Sequence, residues 1–284
     1  MVGCRKDLDK GADDVKNSDI ISFTAALQAE ATPAVMSSCA MSAAYLTIED
    51  EEWKLELKES ARPTKSMPVR ELEGLNVGVY AHEYDDDEMV KYVMNNEHYS
   101  FVNNEDLMPV GEPTLWSDVG DENNIRVCAY APRVSSSTSN FVLSEVDEIP
   151  HITYTVPDDV SEHIDLIVTD VKEVGGNFNQ SIYLTFSHVL TGIKFKAGFD
   201  CTVTSLKIHG VYSTGTYSMT DTWIDVDNVK TYTVPIPDGG IDCKKGDMLA
   251  EGANALMLIP QHQDSAAYVT MEYKEGGTKD TITA

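Results

Sequence analysis

Ser181-Ile182-Tyr183-Leu184-Thr185-Phe186-Ser187-His188, with Leu190-Thr191-Gly192-Ile193-Lys194-Phe195-Lys196-Ala197 close behind it, decides the fold class of this chain. Ile182, Leu184 and Phe186 alternate with Tyr183, Thr185 and Ser187, so one face is apolar and the other polar. After the break at Gly192, Ile193, Phe195 and Ala197 alternate with Lys194 and Lys196. A period of two marks half-buried strands, expected here to pair antiparallel. Similar runs occur upstream at 20–27, 43–48, 53–57, 76–81, 101–102, 114–116, 125–131, 152–156 and 165–169, and downstream at 202–209, 230–236, 254–259 and 267–273. Turn signals such as Pro237-Asp238-Gly239-Gly240 and Glu275-Gly276-Gly277 separate them. Strands at this density, with almost no helical pattern, predict an all-β protein built from sandwiches.

Between the strands, Glu59 to Leu72 reads as a loop or linker, Tyr84 to Tyr99 as a short helix or surface excursion, and Ser135 to Ser139 as a flexible loop. The Gly175-Gly176 stretch is the natural cut. It divides the chain into a tether at 1–19, an N-terminal sandwich at 20–174 and a C-terminal one at 175–284. With 284 residues the chain is long enough for two domains, each burying its own core.

The charge balance is the unusual part of the composition. Forty-seven acidic residues against 21 basic ones leave a formal charge of −26. Such a surface repels phosphates, so nucleic acid is excluded as a partner over most of it, and so is anionic lipid. No apolar run reaches the roughly 18 residues that would span a bilayer. The start, Met1-Val2-Gly3-Cys4, matches the end of a bacterial lipoprotein signal, where small residues precede a cysteine that receives a diacylglycerol anchor. The polar run from Arg5 to Ser18 suits a tether behind it. Cys4 is therefore the expected lipidation site, with an apolar signal segment expected upstream; a chance tripeptide match is the competing reading.

Chemistry-bearing patterns are missing. No nucleophile elbow, phosphate-binding loop or dinucleotide fingerprint is present, so no catalytic or cofactor-binding residue is expected and the chain is read as a non-enzyme. Cys39, Cys128, Cys201 and Cys243 lack zinc or redox spacing. Cys201 and Cys243 could bridge, but their spacing does not require it and free thiols are expected. Asp85-Asp86-Asp87-Glu88 lacks the alternation of a calcium loop and reads as a solvated acidic turn. His188 reads as a packed or turn-bonding residue. Trp53 and Trp116 are expected in the core, whereas Trp223, flanked by Asp221 and Asp225, is left open as a sugar-stacking candidate beside Tyr212, Tyr217 and Tyr232.

Several pieces, taken in order, resemble the fimbrillin family of Bacteroidetes, the subunits of lipoprotein-derived surface pili. They are Ile21-Ser22-Phe23-Thr24, Asn76-Val77-Gly78-Val79-Tyr80-Ala81, Leu115-Trp116, Val127-Cys128-Ala129-Tyr130-Ala131-Pro132 and Asp165-Leu166-Ile167-Val168. The series continues through Leu184 to Phe195, Leu256-Met257-Leu258-Ile259-Pro260-Gln261 and Ala267 to Tyr273. The resemblance implies two consecutive transthyretin-like sandwiches of Greek-key, immunoglobulin-like type. It also implies export to the cell surface as an outer-membrane lipoprotein and assembly into a fimbrium. In polymerising members a trypsin-like protease cuts after an arginine, the first strand leaves, and a neighbouring subunit's strand fills the groove. Arg70-Glu71 is the expected cut, because proline blocks the bond after Arg62; both arginines also read as ordinary surface charges.

One departure bears on the position in a pilus. Polymerising members carry a further strand or two at the C-terminus that can act as donor, whereas this chain stops soon after the Tyr268 strand. Either the C-terminus is truncated here or the protein donates no strand, and a subunit that donates none suits a tip or an anchor better than a shaft. The rival expectation is a monomeric surface lipoprotein that binds glycans through exposed aromatics such as Trp223.

Overall fold

The computed structural model describes residues 20–27, 44–49, 52–57, 69, 71–86, 88–120, 123–134, 140–146, 149–175, 180–219, 222–249, 256–261 and 267–283. Strands dominate them. The first seven are β1 (Phe23–Leu27), β2 (Ala44–Glu49), β3 (Glu52–Leu57), β4 (Asn76–Asp85), β5 (Glu88–Phe101), β6 (Asp106–Pro109) and β7 (Asn124–Ala131). Then come β8 (Phe141–Val146), β9 (Ile149–Thr155), β10 (Ile167–Thr169), β11 (Lys172–Gly175), β12 (Ile182–His188) and β13 (Thr191–Phe195). The last six are β14 (Cys201–Ser218), β15 (Thr222–Thr233), β16 (Ile241–Cys243), β17 (Leu256–Leu258), β18 (Tyr268–Glu275) and β19 (Thr278–Thr283). Helix among the described residues amounts to two single 3-10 turns, Trp116–Asp118 and Val160–Glu162.

The opening stretch behaves as its alternation requires. Ile182, Leu184 and Phe186 are buried while Tyr183 is 57% exposed. One correction concerns pairing: β12 lies antiparallel to β10 but parallel to β1, and β13 lies antiparallel to β17 but parallel to β2. Another concerns Lys194, which is buried because β13 runs in the interior of its sheet.

An eight-stranded sheet has the order β10-β12-β1-β6-β5-β4-β7-β11, and β10 also pairs with β7. The sheet thus curls until its seven principal strands form a closed ring, which removes edges that would otherwise stand open. Its inner face packs Ile21, Phe23, Val77, Val79, Ile125, Val127, Ile182, Leu184 and Phe186 into one core. A four-stranded sheet, β17-β13-β2-β3, and a seven-stranded one built around β14 complete the fold. A second core joins Tyr80, Cys128 and Tyr130 to Phe195, Leu206, Tyr217, Tyr232, Leu256, Leu258 and Met271. The architecture is all-β, with sheets packed face to face in the manner of sandwiches. Sheet membership crosses residues 174–175 in both directions: β12 completes the ring with the early strands, and β8–β9 pair with β14.

Tyr84 to Tyr99 forms no helix; it is most of the 14-residue β5. Three register shifts against β4, at Val79/Ala81, Ala81/His82 and Glu83/Tyr84, break the strict alternation that would have announced it. The acidic run supplies the β4–β5 turn, with Asp86 at φ 52°. The chain also has a strand beyond Tyr268 and its hairpin partner: β19 folds back on β18 as the edge of the seven-stranded sheet.

His163 ties the two halves of the second core. Its Nε2 lies 2.9 Å from the Pro157 carbonyl, and its Nδ1 accepts the Met257 N–H at 3.1 Å. That pattern needs a neutral ring with the proton on Nε2. Burial, only partly offset by the Pro157 bond and Asp159, holds the imidazole below its ordinary value near 6.5. Below that pH the unfolded chain binds a proton that the folded chain resists, so stability falls as pH drops. We expect His163→Gln to flatten the pH dependence of the urea midpoint below about pH 6.5; an unchanged slope would remove His163 from the acid response.

Candidate functional site

The feature of this fold that can change partners is the place occupied by β1. The strand lies between β12 and β6, parallel to the first over Phe23↔Ile182 through Leu27↔Phe186 and antiparallel to the second over Phe23↔Leu107 and Thr24↔Asp106. Three bonds outside these ladders hold its approach: Ile21 N–H to the Thr114 carbonyl, Ala25 N–H to Glu105 and Ile182 N–H to Ser22, at 2.8–2.9 Å. Ile21, Phe23 and Ala25 point inward and are almost wholly buried. The Phe23 ring meets Tyr99 edge-on at 5.2 Å, and Phe101 meets Phe186 at 5.7 Å beside it. Burial raises the Tyr99 phenol far above its ordinary value, so the slot presents a neutral, apolar floor.

The connection from the early strands to β4 is fastened next to this slot. Val69 N–H donates to Asp165 Oδ2 at 2.7 Å, the same oxygen that lies 2.6 Å from His188 Nδ1. Leu72 and Glu73 N–H both reach Asn104 Oδ1, at 2.7 and 3.2 Å. Asn103 Oδ1 in turn accepts Glu105 and Asp106 N–H, fixing the turn that meets β1. His188, read as a packed or turn-bonding residue, ends β12 and bonds the Asp165 carboxylate. Arg70 sits between these fastened neighbours but, like Cys4, lies outside the described residues, and so does the side chain of Trp53.

Trp223, left open by the sequence, is half-buried and bonded into the fold. Its indole N–H donates to the Val189 carbonyl at 2.7 Å, and its ring meets Tyr217 edge-on at 5.4 Å. Gly215 makes the room, since a Cβ there would lie 3.1 Å from the indole. Tyr217 and Tyr232 are core residues, as is Trp116. We expect Trp223→Ala to cost about 2 kcal/mol of folding stability, less than a fully buried tryptophan would, measured by urea denaturation. Among the described residues no group of three His, Cys, Asp or Glu is placed to hold a metal ion.

The sequence pointed to β1 as a strand but not to the slot, whose walls lie about 80 and 160 residues further along the chain. The one available signal was the apolar alternation shared by Ile21-Ser22-Phe23-Thr24-Ala25 and Ile182-Tyr183-Leu184-Thr185-Phe186.

Fold and slot together define an all-β sandwich protein whose ring of strands is completed by its own N-terminal segment. The chain belongs to the fimbrillin-like family, whose model matches residues 70–284. The solved structures it resembles include a candidate cell adhesion protein from Bacteroides uniformis, at 12% identity and a TM-score of 0.51, covering 94% of this chain and 85% of that one. A candidate polysaccharide-binding protein from Bacteroides thetaiotaomicron matches at 9% identity and a TM-score of 0.39, over 73% of this chain and 71% of that one. No curated protein sequence matches the chain.

Proposed function

We propose that this fimbrillin-like protein is a non-enzymatic subunit of an adhesive surface pilus, carried to the outer membrane by a lipid on Cys4, and that β1 marks the slot where, once cleavage has freed it, a like subunit inserts a strand. The observation that carries the reading is the seating of β1: a short apolar strand from a distant part of the chain, paired on both edges and buried on its inner face. Cleavage after Arg70 would release β1, β2 and β3 together. The ring would then lose a member, leaving backbone groups on β12 and β6 unpaired above an apolar floor, and an incoming strand satisfies both needs. The family match also leaves β1–β3 outside it, since it begins at residue 70.

The chemistry of β19 favours a terminal position over the shaft. On one face β19 carries Thr278, Asp280 and Ile282, and on the other Lys279, Thr281 and Thr283. Seated in a slot like the one β1 fills, its single apolar residue would bring Asp280 down with it, and an unpaired buried carboxylate is costly. β19 is thus a poor donor for such a slot, which supports the terminal position, tip or anchor, proposed for this subunit. Immunogold electron microscopy on producing cells tests the role. Label at one end of filaments is the expected result; label along their length would overturn the terminal position, and label on the envelope without filaments would overturn the pilus reading.

A further inference from the structure

Cys201 and Cys243 open and close a pair of strands that face each other directly. In the β14–β16 ladder the register runs Cys201↔Cys243, Thr202↔Asp242, Val203↔Ile241. Residues opposite one another in an antiparallel ladder have Cα atoms about 4.5–5.5 Å apart, inside the roughly 4.4–6.8 Å that a disulfide requires. Their sulfur atoms are 3.5 Å apart, with the Cys243 thiol also 3.1 Å from the Cys201 carbonyl. Cys128, the other thiol among the described residues, is buried in the second core on β7. The sequence suggested free thiols, because a separation of 42 positions carries no motif; the register is what brings the two together.

We propose that Cys201 and Cys243 form a disulfide when the protein meets an oxidising disulfide, pinning β16 to β14. The reaction is thiol–disulfide exchange. The Cys201 thiolate, on the more exposed of the two residues, attacks the partner disulfide, forming a mixed disulfide and releasing one partner thiol. The Cys243 thiolate then attacks Cys201 Sγ, releasing the second. Two protein thiols are oxidised, one external disulfide is reduced to two thiols, and their two protons pass to the released thiolates. Burial, with the Cys243 thiol beside it, pushes the Cys201 thiol up, which makes the exchange slower in the folded protein than in the unfolded chain.

The bridge has a structural reason to matter. β16 is three residues long and, among the described residues, pairs with β14 alone. The turn after it is held by Lys244 N–H to Asp247 Oδ2 and by Gly246 N–H to the Ala197 carbonyl. A cross-link closing a loop of this length removes chain entropy from the unfolded state and holds a strand that three residue pairs otherwise secure.

The test is to refold the full chain with a mixture of oxidised and reduced glutathione, then map its disulfides by digestion and mass spectrometry. The expected result is one linked pair of peptides carrying Cys201 and Cys243. The thermal midpoint should also rise by about 5–10 °C over the reduced protein, and Cys201→Ser with Cys243→Ser should abolish both the linked pair and the rise. Free thiols at both positions would overturn the proposal. So would a lasting glutathione adduct at Cys201, or a bridge from either residue to Cys39 or Cys128.

Discussion

Phe23→Ala is expected to lower folding stability by about 3–5 kcal/mol, the range for emptying a fully buried aromatic site. Phe23 is 2% exposed, faces Tyr99 edge-on, and opens the strand that closes the ring. Thr24→Ala, one position along on the opposite face, should cost less than about 1 kcal/mol. Urea denaturation of both variants separates the two outcomes, and equal midpoints would show that β1 is not a packed member of the core. The same packing predicts a result in trans. Protein cleaved after Arg70 and freed of the early strands should bind a peptide of residues 20–27 saturably, whereas the Phe23→Ala peptide should bind at least tenfold more weakly, which is about 1.4 kcal/mol. If the cleaved protein binds neither, strand insertion into this slot fails as a mechanism.

Gly78→Val is the second substitution expected to act strongly. A Cβ at Gly78 would fall 2.3 Å from Tyr130 Cε1 and 2.4 Å from Asn96 Oδ1, where no side chain can go without a shift. Tyr130 cannot give way cheaply. Its hydroxyl donates to Asn96 Oδ1 at 2.8 Å and accepts Val134 N–H at 3.1 Å, and Asn96 itself sits at φ 53° with its carbonyl taken by Arg133. Overpacking costs about 1–3 kcal/mol even where neighbours relax; with the hydrogen bonds of this corner broken as well, the loss should exceed 3 kcal/mol. Adding Tyr130→Leu should recover part of it, because the ring that clashes is then gone. Strict additivity of the two changes would show that they do not meet.

Much of the fold could be read from the chain because β1 and β12 bury one apolar face with a period of two, while β4 and β7, buried on both faces, are near-continuous runs of high β-propensity. Legibility fails where a strand has a reason to break that period. β5 carries bulges and, beyond its contacts with β6, leaves an outer edge to solvent, so Glu88 to Glu97 shows little apolar alternation. β14 reads as a strand only to residue 209 because Gly210, at φ 73°, sits in the register shift between Ile208 and Val211. Past that point the strand changes neighbours, from β18 to β9, and its burial pattern changes with them. The slot was illegible for a different reason: nothing local to Phe23 names Ile182 or Leu107 as its neighbour. Trp223, left open because aspartates flank it, is half-buried, with Gly215 and the Val189 carbonyl drawing it in.

The parallel seating of β1 on β12 has a mechanical meaning. Tension applied to the chain ahead of residue 20 acts along the strand axis, so the five paired positions from Phe23 to Leu27 are loaded in shear and must yield together. A hairpin pulled open from its end gives up its bonds one after another and resists far less. An uncleaved subunit held to a cell by its N-terminal end would thus bear load through the geometry in which a short strand is strongest, and the antiparallel contacts with β6 on the other edge would share it.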